Sequence, residues 1–332
     1  MKYLYVLASD DSDLYFEQAL LSLTSLRLRM PNAFVSLLTD DLTVKNLCGK
    51  RGEIIKLVDE LKVVVIEPKH KKKARSRWLK TSMRQHIRGD FLFIDCDTII
   101  CDDLSDAQKC DIDLCAVFNA HAILKDQFNK ENIHYYDRIL GHDSSFQSME
   151  YFNTGVIYSG DTSLSHSFFE EWHKLWLQGS SVLLNDQPAF NQSNLNLNYP
   201  IKEMNGLWNC QIRTGGAAFL TNAKIIHYFA TNDTADNPYM LANPSILKEI
   251  KETGVVPDYI KNYLQEPKSC FYPHIQLLSN VKTIEIISSR LFRVFCKFYG
   301  LRCVQLTMKL MKKISFMSNR YFDKHKYTKN QI

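Results

Sequence analysis

The chain has 332 residues, 45% of them hydrophobic and 23% charged, with a formal net charge of +5. That balance belongs to a folded protein with one large core or two modest ones, and it excludes a disordered or fibrous chain. The charge is unevenly placed: residues 282–329 carry twelve Lys/Arg against two acids, a balance of +10, which leaves −5 for the rest.

Residues 3–8 read as a buried strand, and residues 14–29 place apolar side chains at the three- and four-residue spacings of an amphipathic helix. Strand candidates follow at 33–38 and 62–66, then a helix over 76–87 that leads into the apolar run 91–94. Further strands are expected at 114–118, 152–158 and 224–228, and further helices at 163–178 and 186–192. This alternation implies an α/β fold with a mostly parallel, Rossmann-like sheet flanked by helices, whose ligands bind at the carboxyl ends of the strands. Residues 232–273, rich in Pro, Asn, Asp and Tyr, are expected to wrap that core as loops and short helices. From 284 to 322 the pattern turns basic, aromatic and aliphatic, as in helices that lie on a membrane surface. No run approaches the roughly 20 apolar residues of a spanning helix. The amino terminus lacks the apolar core and cleavage site of a secretory signal, and the nine cysteines are scattered singly, so cytoplasmic residence with free thiols is expected.

The sharpest local signal is Phe91-Leu92-Phe93-Ile94-Asp95-Cys96-Asp97. If the strand continues, alternation turns Asp95 and Asp97 the same way at its end. Two converging carboxylates repel each other and resist desolvation, and a bound divalent cation relieves both costs. Oxygen ligands favour Mg²⁺ or Mn²⁺. Arg77 and Lys80, three residues apart on the preceding helix, share one face of it.

In this order the motifs resemble those of the family 8 glycosyltransferases, retaining enzymes with the GT-A fold that include lipopolysaccharide galactosyl- and glucosyltransferases and glycogenin. The segment from Val6 through Ala8, Ser9 and Asp10 to Asp11 is similar to the family's first strand, whose end contacts the nucleoside. Arg77-Trp78-Leu79-Lys80 stands where the family carries an arginine directed at the donor's phosphate or sugar, and Asp95 and Asp97 match its metal carboxylates. Tyr151-Phe152-Asn153-Thr154-Gly155-Val156-Ile157 resembles the segment whose Asn helps to bind the donor sugar. Asp186-Gln187-Pro188-Ala189-Phe190-Asn191 resembles the stretch beneath the reacting carbon, and Leu207-Trp208-Asn209 the short aromatic-Asn segment that follows. Ile225-Ile226-His227-Tyr228 resembles the strand that bears the third metal ligand. The resemblance spans residues 3–229. Two positions depart from it: Pro188 replaces a second acid, and Ala230-Thr231-Asn232 does not reproduce the family's Gly followed by Lys-Pro-Trp.

The resemblance implies a metal-dependent transferase that moves a hexose from a UDP-sugar to a glycan or lipid-linked glycan with retention. Asp95, Asp97 and His227 are the expected metal ligands and Mn²⁺ or Mg²⁺ the cofactor. Ala8, Ser9, Asp10, Arg77, Lys80, Asp95 and Asn153 are expected at the donor, and Asp186 and Gln187 at the reacting carbon. A catalytic domain over 1–281 is expected, with nucleotide-sugar binding in 1–120 and the acceptor side in 121–281. The basic helical extension 282–332 then offers peripheral contact with an anionic membrane on its inner face, and no base-reading motif suggests nucleic acid. Plainer readings stand beside these. His227 is then a hydrogen-bonded core histidine, Asn153 serves the backbone near Gly155, and Gln187 lies in a first helical turn capped by Asp186. Two alternatives compete: a haloacid-dehalogenase-like phosphohydrolase, whose motif normally sits on the first strand, and an inert sugar-nucleotide-binding protein.

Overall fold

The computed structural model describes residues 1–67, 71–109, 112–127, 130–142, 150–229, 239–271 and residue 298. Met1–Tyr272 forms one compact unit and Pro273–Ile332 a second. The basic extension expected over 282–332 therefore lies, but for residue 298, outside the described residues.

The first unit opens with β1 (Lys2–Leu7), α1 (Tyr15–Arg29), β2 (Val35–Asp40), the short α2 (Asp41–Val44), β3 (Glu60–Val64) and α3 (Lys72–His86). It continues through β4 (Phe91–Ile94), β5 (Thr98–Ile100), β6 (Leu114–Phe118), α4 (Lys130–Leu140), β7 (Phe152–Ser159), α5 (Ser163–Gly179) and α6 (Gln187–Asn196). The remaining elements are β8 (Lys202–Glu203), β9 (Cys210–Gln211), β10 (Ile225–His227), α7 (Pro244–Thr253) and α8 (Asp258–Gln265). Every strand and helix expected from the sequence within the described residues is present. β2 and β3 are displaced by about two residues from the expected runs, β2 toward the carboxyl end and β3 toward the amino end. α6 extends beyond the expected helix to Asn196.

Seven strands form one sheet in the order β3-β2-β1-β4-β7-β6-β8. The first four are parallel, β7 runs antiparallel to both β4 and β6, and β8 is parallel to β6. β4 and β7 are buried along their whole length, which explains why β4 reads as an unbroken apolar run rather than an alternating one. α5 packs against α3 and α6: its Phe168 and Trp172 meet Phe190 of α6 edge-on, and Phe169 packs tilted against Trp172. Full burial of such a side chain contributes about 1.5–3 kcal/mol.

β1 has β2 on one side and β4 on the other. Strand order reverses there, so the carboxyl ends of β1 and β4 open a crevice of the kind that receives ligands in such sheets. Beyond β4 the chain turns into β5, which joins β10 and β9 in a small second sheet. In that sheet His227 lies opposite Thr98, the residue after Asp97. Among the described residues no helix is long and apolar enough to cross a membrane.

Candidate active site

A pocket of about 360 Å³ lies in the crevice, lined among others by Val6, Ala8, Tyr15, Arg77, Asp95 and Asp97. The strand expected to carry both carboxylates ends earlier than the motif suggests, at Ile94. Asp95 keeps one ladder bond, from its N–H to the Gly155 carbonyl at 2.8 Å, while Asp97 lies in the bend before β5. Thr98 Oγ1 donates to the Asp95 carbonyl and the Tyr228 N–H donates to the Asp97 carbonyl. Convergence of the two side chains thus comes from a braced turn and not from strand alternation.

His227 completes the group. One ligand atom from each of Asp95, Asp97 and His227 lies within 4.8 Å of the others. His227 is buried, and its Nε2 stands 3.3 Å from Asp97 Oδ1. Gly155 makes room for it: a Cβ there would sit 2.2 Å from His227 Cε1. On its other ring nitrogen, Nδ1, His227 meets Asn209 Oδ1 at 3.0 Å. With Nδ1–H donating to that oxygen, Nε2 facing a carboxylate is attractive only with positive charge between them, either a second proton or a metal. Two carboxylates and one imidazole nitrogen are a donor set suited to Mn²⁺ or Mg²⁺, so these residues fit a divalent cation.

The electrostatics around the trio are strongly unequal. Burial raises the Asp95 carboxyl above its ordinary range, with Lys80 opposing. Burial also acts to raise Asp97, but its interaction with His227 outweighs this and holds it low. Lys80, with a side chain 3% exposed, reaches Asp95 Oδ2 at 2.9 Å and Asp186 Oδ2 at 3.7 Å. Arg77 Nε donates to Asp186 Oδ1 at 2.9 Å. These two cations outweigh the burial that would raise the Asp186 carboxyl and hold it low, while Asp186 in turn raises Arg77. Asp186 occupies the N-cap position of α6 but makes no side-chain cap. Its carboxylate faces the pocket cations instead, which departs from the plainer capping reading.

Asn153 keeps both of its readings. Its Oδ1 accepts from the Gly155 N–H at 2.9 Å, as a backbone-serving role requires, and also from Asn209 Nδ2 at 2.8 Å. Its Nδ2 lies 3.4 Å from Gln187 Oε1. Gln187 opens α6, and that helix is fastened to β7 by Asn191, whose Oδ1 accepts from Phe152 N and whose Nδ2 donates to Phe152 O. Trp172 Nε1 donates to the Asp186 carbonyl at 3.0 Å and fixes the start of the helix.

Of the expected donor residues, Ala8, Arg77 and Asp95 line the pocket and Lys80 is paired with Asp95. Ser9 is committed to its own loop and Asp10 to a lysine of α3. Ser9 Oγ donates to Asp13 at 2.7 Å, and Asp10 pairs with Lys72 at 2.7 Å. Tyr15, Gln18, Ser76, Leu184 and Asn185 also line the pocket and were not singled out from the sequence, and Lys73, whose basic stretch reads from the sequence as a solvated loop, lines it as well. Tyr15 and Gln18 fall three apart on α1, a spacing that marks a shared helix face but not what it faces.

The fold aligns with that of the galactosyltransferase LgtC in complex with donor and acceptor sugar analogues, over 79% of this chain and 99% of that one, with a TM-score of 0.51 and 15% identity. The fold is that of the GT-A glycosyltransferases. An active-site mutant of LgtC aligns over the same shares of both chains, with a TM-score of 0.52 and 15% identity. The bifunctional glycosyltransferase WbbM aligns over 76% of this chain and 51% of that one, with a TM-score of 0.49 and 15% identity. No protein-family model matches the chain, and no curated protein matches it in sequence. The reversal of strand order between β1 and β4 makes their crevice the place where strand topology favours a ligand.

Proposed function

We propose that the protein is a metal-dependent glycosyltransferase that moves a hexose from a UDP-sugar to a glycan or lipid-linked glycan, with retention at the anomeric carbon. The observation that carries the proposal is the convergence of Asp95, Asp97 and His227, the two acids on the wall of a pocket of about 360 Å³, with Lys80 and Arg77 beside them. A divalent cation held by these three side chains would offset the negative charge that builds on the departing nucleoside diphosphate. Arg77, at the pocket wall, adds a fixed cation to that stabilisation, and Lys80 offsets the charge of Asp95. Residues 1–120 serve the donor's nucleotide on this reading, and residues 121–281 form the acceptor side while contributing His227, Asn153 and Asp186 to the shared site.

Asp186 and Asn153 orient the transferred sugar, and Gln187 lies beneath the reacting carbon. A Gln amide is a weak nucleophile, and the Asp186 carboxylate is already engaged by Arg77 and Lys80. Both facts support attack by the acceptor on the face from which the diphosphate leaves, and they disfavour a covalent sugar on Asp186. The phosphohydrolase alternative finds no support, since its motif belongs on a first strand and Asp95 follows the fourth.

Donor turnover tests the proposal. The native chain, given Mn²⁺ and a panel of UDP-hexoses, is expected to release UDP from at least one of them, with Asp97→Ala reducing the rate by orders of magnitude. Equal turnover in the two proteins would remove Asp97 from the site.

A further inference from the structure

A chain of side-chain hydrogen bonds runs away from the metal-type trio, and its direction can be worked out from one end. The Gly155 N–H is a backbone donor and cannot accept, so the Asn153 atom 2.9 Å from it is the amide oxygen. That oxygen also meets Asn209 at 2.8 Å, so the Asn209 atom there is the NH₂ group. The other end of Asn209 is then its oxygen, and it lies 3.0 Å from His227 Nδ1. An oxygen can only accept, so Nδ1 carries the proton. All three side chains are buried, which leaves no water to substitute for a mismatched partner: Asn153 is 4% exposed, Asn209 0% and His227 2%.

We infer that Asn209 is a positioning residue: it holds His227 in the Nδ1–H tautomer, with Nε2 bare and turned toward Asp97 as a metal ligand. The inference rests on the proposed metal-dependent transfer for its purpose, but not for its test. Free neutral histidine favours the opposite tautomer, so an acceptor at Nδ1 is needed to hold this one, and ligating histidines use such an acceptor to orient the ring. Here the acceptor is a neutral amide, itself oriented by Asn153 and finally by the backbone of β7. Asn153 Nδ2 continues the network to Gln187 Oε1 at 3.4 Å. The groups expected at the metal and at the reacting carbon therefore share one buried amide, and displacement of Asn209 disturbs both.

Long-range ¹H–¹⁵N correlation spectra of the metal-free native protein, at a pH where imidazole is neutral, read the tautomer directly. His227, assigned by its loss in His227→Gln, is expected to show a protonated Nδ1 and a bare Nε2. A protonated Nε2 overturns the inference without any variant of Asn209. The second measurement is Mn²⁺ affinity, followed by the electron paramagnetic resonance of the free ion. Asn209→Leu, checked for folding by circular dichroism, is expected to bind Mn²⁺ about 10–100-fold more weakly. Asn209→Asp keeps an acceptor at Nδ1 but loses the donor to Asn153 Oδ1, and should retain the tautomer with an affinity between those of the native chain and Asn209→Leu. Native affinity in Asn209→Leu also overturns the inference. A native chain that binds no Mn²⁺ defeats the proposed function instead, while the nitrogen spectra still decide the role of Asn209.

Discussion

Replacement of Gly155 by alanine adds one methyl group at the most crowded point of the site. The new Cβ would lie 2.2 Å from His227 Cε1, 2.5 Å from its Nδ1 and 2.9 Å from Asn153 Oδ1. Ordinary carbon contacts begin near about 3.5 Å, so the imidazole must retreat by more than about 1 Å. Phe229 is packed on the same ring at a centroid distance of 4.0 Å, so the retreat cannot be a simple slide. A metal–nitrogen bond tolerates only about 0.2 Å of error, and a shift of this size removes the ligand. We expect Mn²⁺ affinity to fall by at least about 10–100-fold. Overpacking should also cost about 1–3 kcal/mol of stability, reversing the small gain that alanine for glycine gives at an unstrained position. Calorimetric titration with Mn²⁺ and urea unfolding read the two effects. Gly52→Ala is the control, because its nearest atom, Leu47 O, is 3.9 Å away: it should leave Mn²⁺ affinity unchanged and shift stability by no more than the small gain of about 0.4–1 kcal/mol. Native Mn²⁺ affinity in Gly155→Ala would mean that His227 does not ligate.

Three further outcomes follow from the same geometry. Lys80→Met takes the cation from the partly buried Asp95 carboxylate while Asp186 keeps Arg77, so metal-free stability should drop by about 1–3 kcal/mol in urea unfolding, and Mn²⁺ should restore more stability to the variant than to the native chain; a loss below about 1 kcal/mol would show that the pair is solvated. Burial lowers His121 and His173 to about 4, from about 6.5 when unfolded, so the unfolded chain binds more protons between those values. Stability should be full above about pH 6.5 and fall toward pH 4, with a shallower slope in His173→Asn, and an unchanged slope would assign the acid limb to other groups. The native chain should float with anionic liposomes and a chain ending near residue 283 should not, since the basic extension is the proposed anchor; flotation of the shortened chain would transfer that role to the first unit.

The parts of this architecture written in single elements were legible in the sequence, and the parts that depend on pairing were not. β1 and β4 could be read because burial on both faces gives an apolar run in the chain itself, and β7 through its shorter Val156-Ile157-Tyr158 stretch. The antiparallel setting of β7 between two strands of opposite direction leaves no such mark, since a buried strand looks the same in either direction. β5 has three residues, too few to show a period, yet its pairing with β10 is what places His227 beside the acidic turn. α4 was not anticipated, because only Ile133 and Asp137 of its eleven residues are buried. At the site, the paired acids were legible from their position after an apolar run, whereas His227, Asn153 and Gln187 stood out only through the order of the motifs. Asn209 belonged to a matching segment but carried no assigned role. Its importance lies in a polarity imposed from Gly155, more than fifty residues away in the chain, which no local pattern reveals.

The most direct test of the account is calorimetric titration of UDP into the native chain and into Asp97→Asn, each with and without Mn²⁺. The account predicts that Mn²⁺ tightens UDP binding to the native chain by about tenfold or more, and that Asp97→Asn, which keeps the shape of the side chain but not its charge, loses most of that gain. Equal UDP affinity with and without Mn²⁺ in the native chain would contradict it.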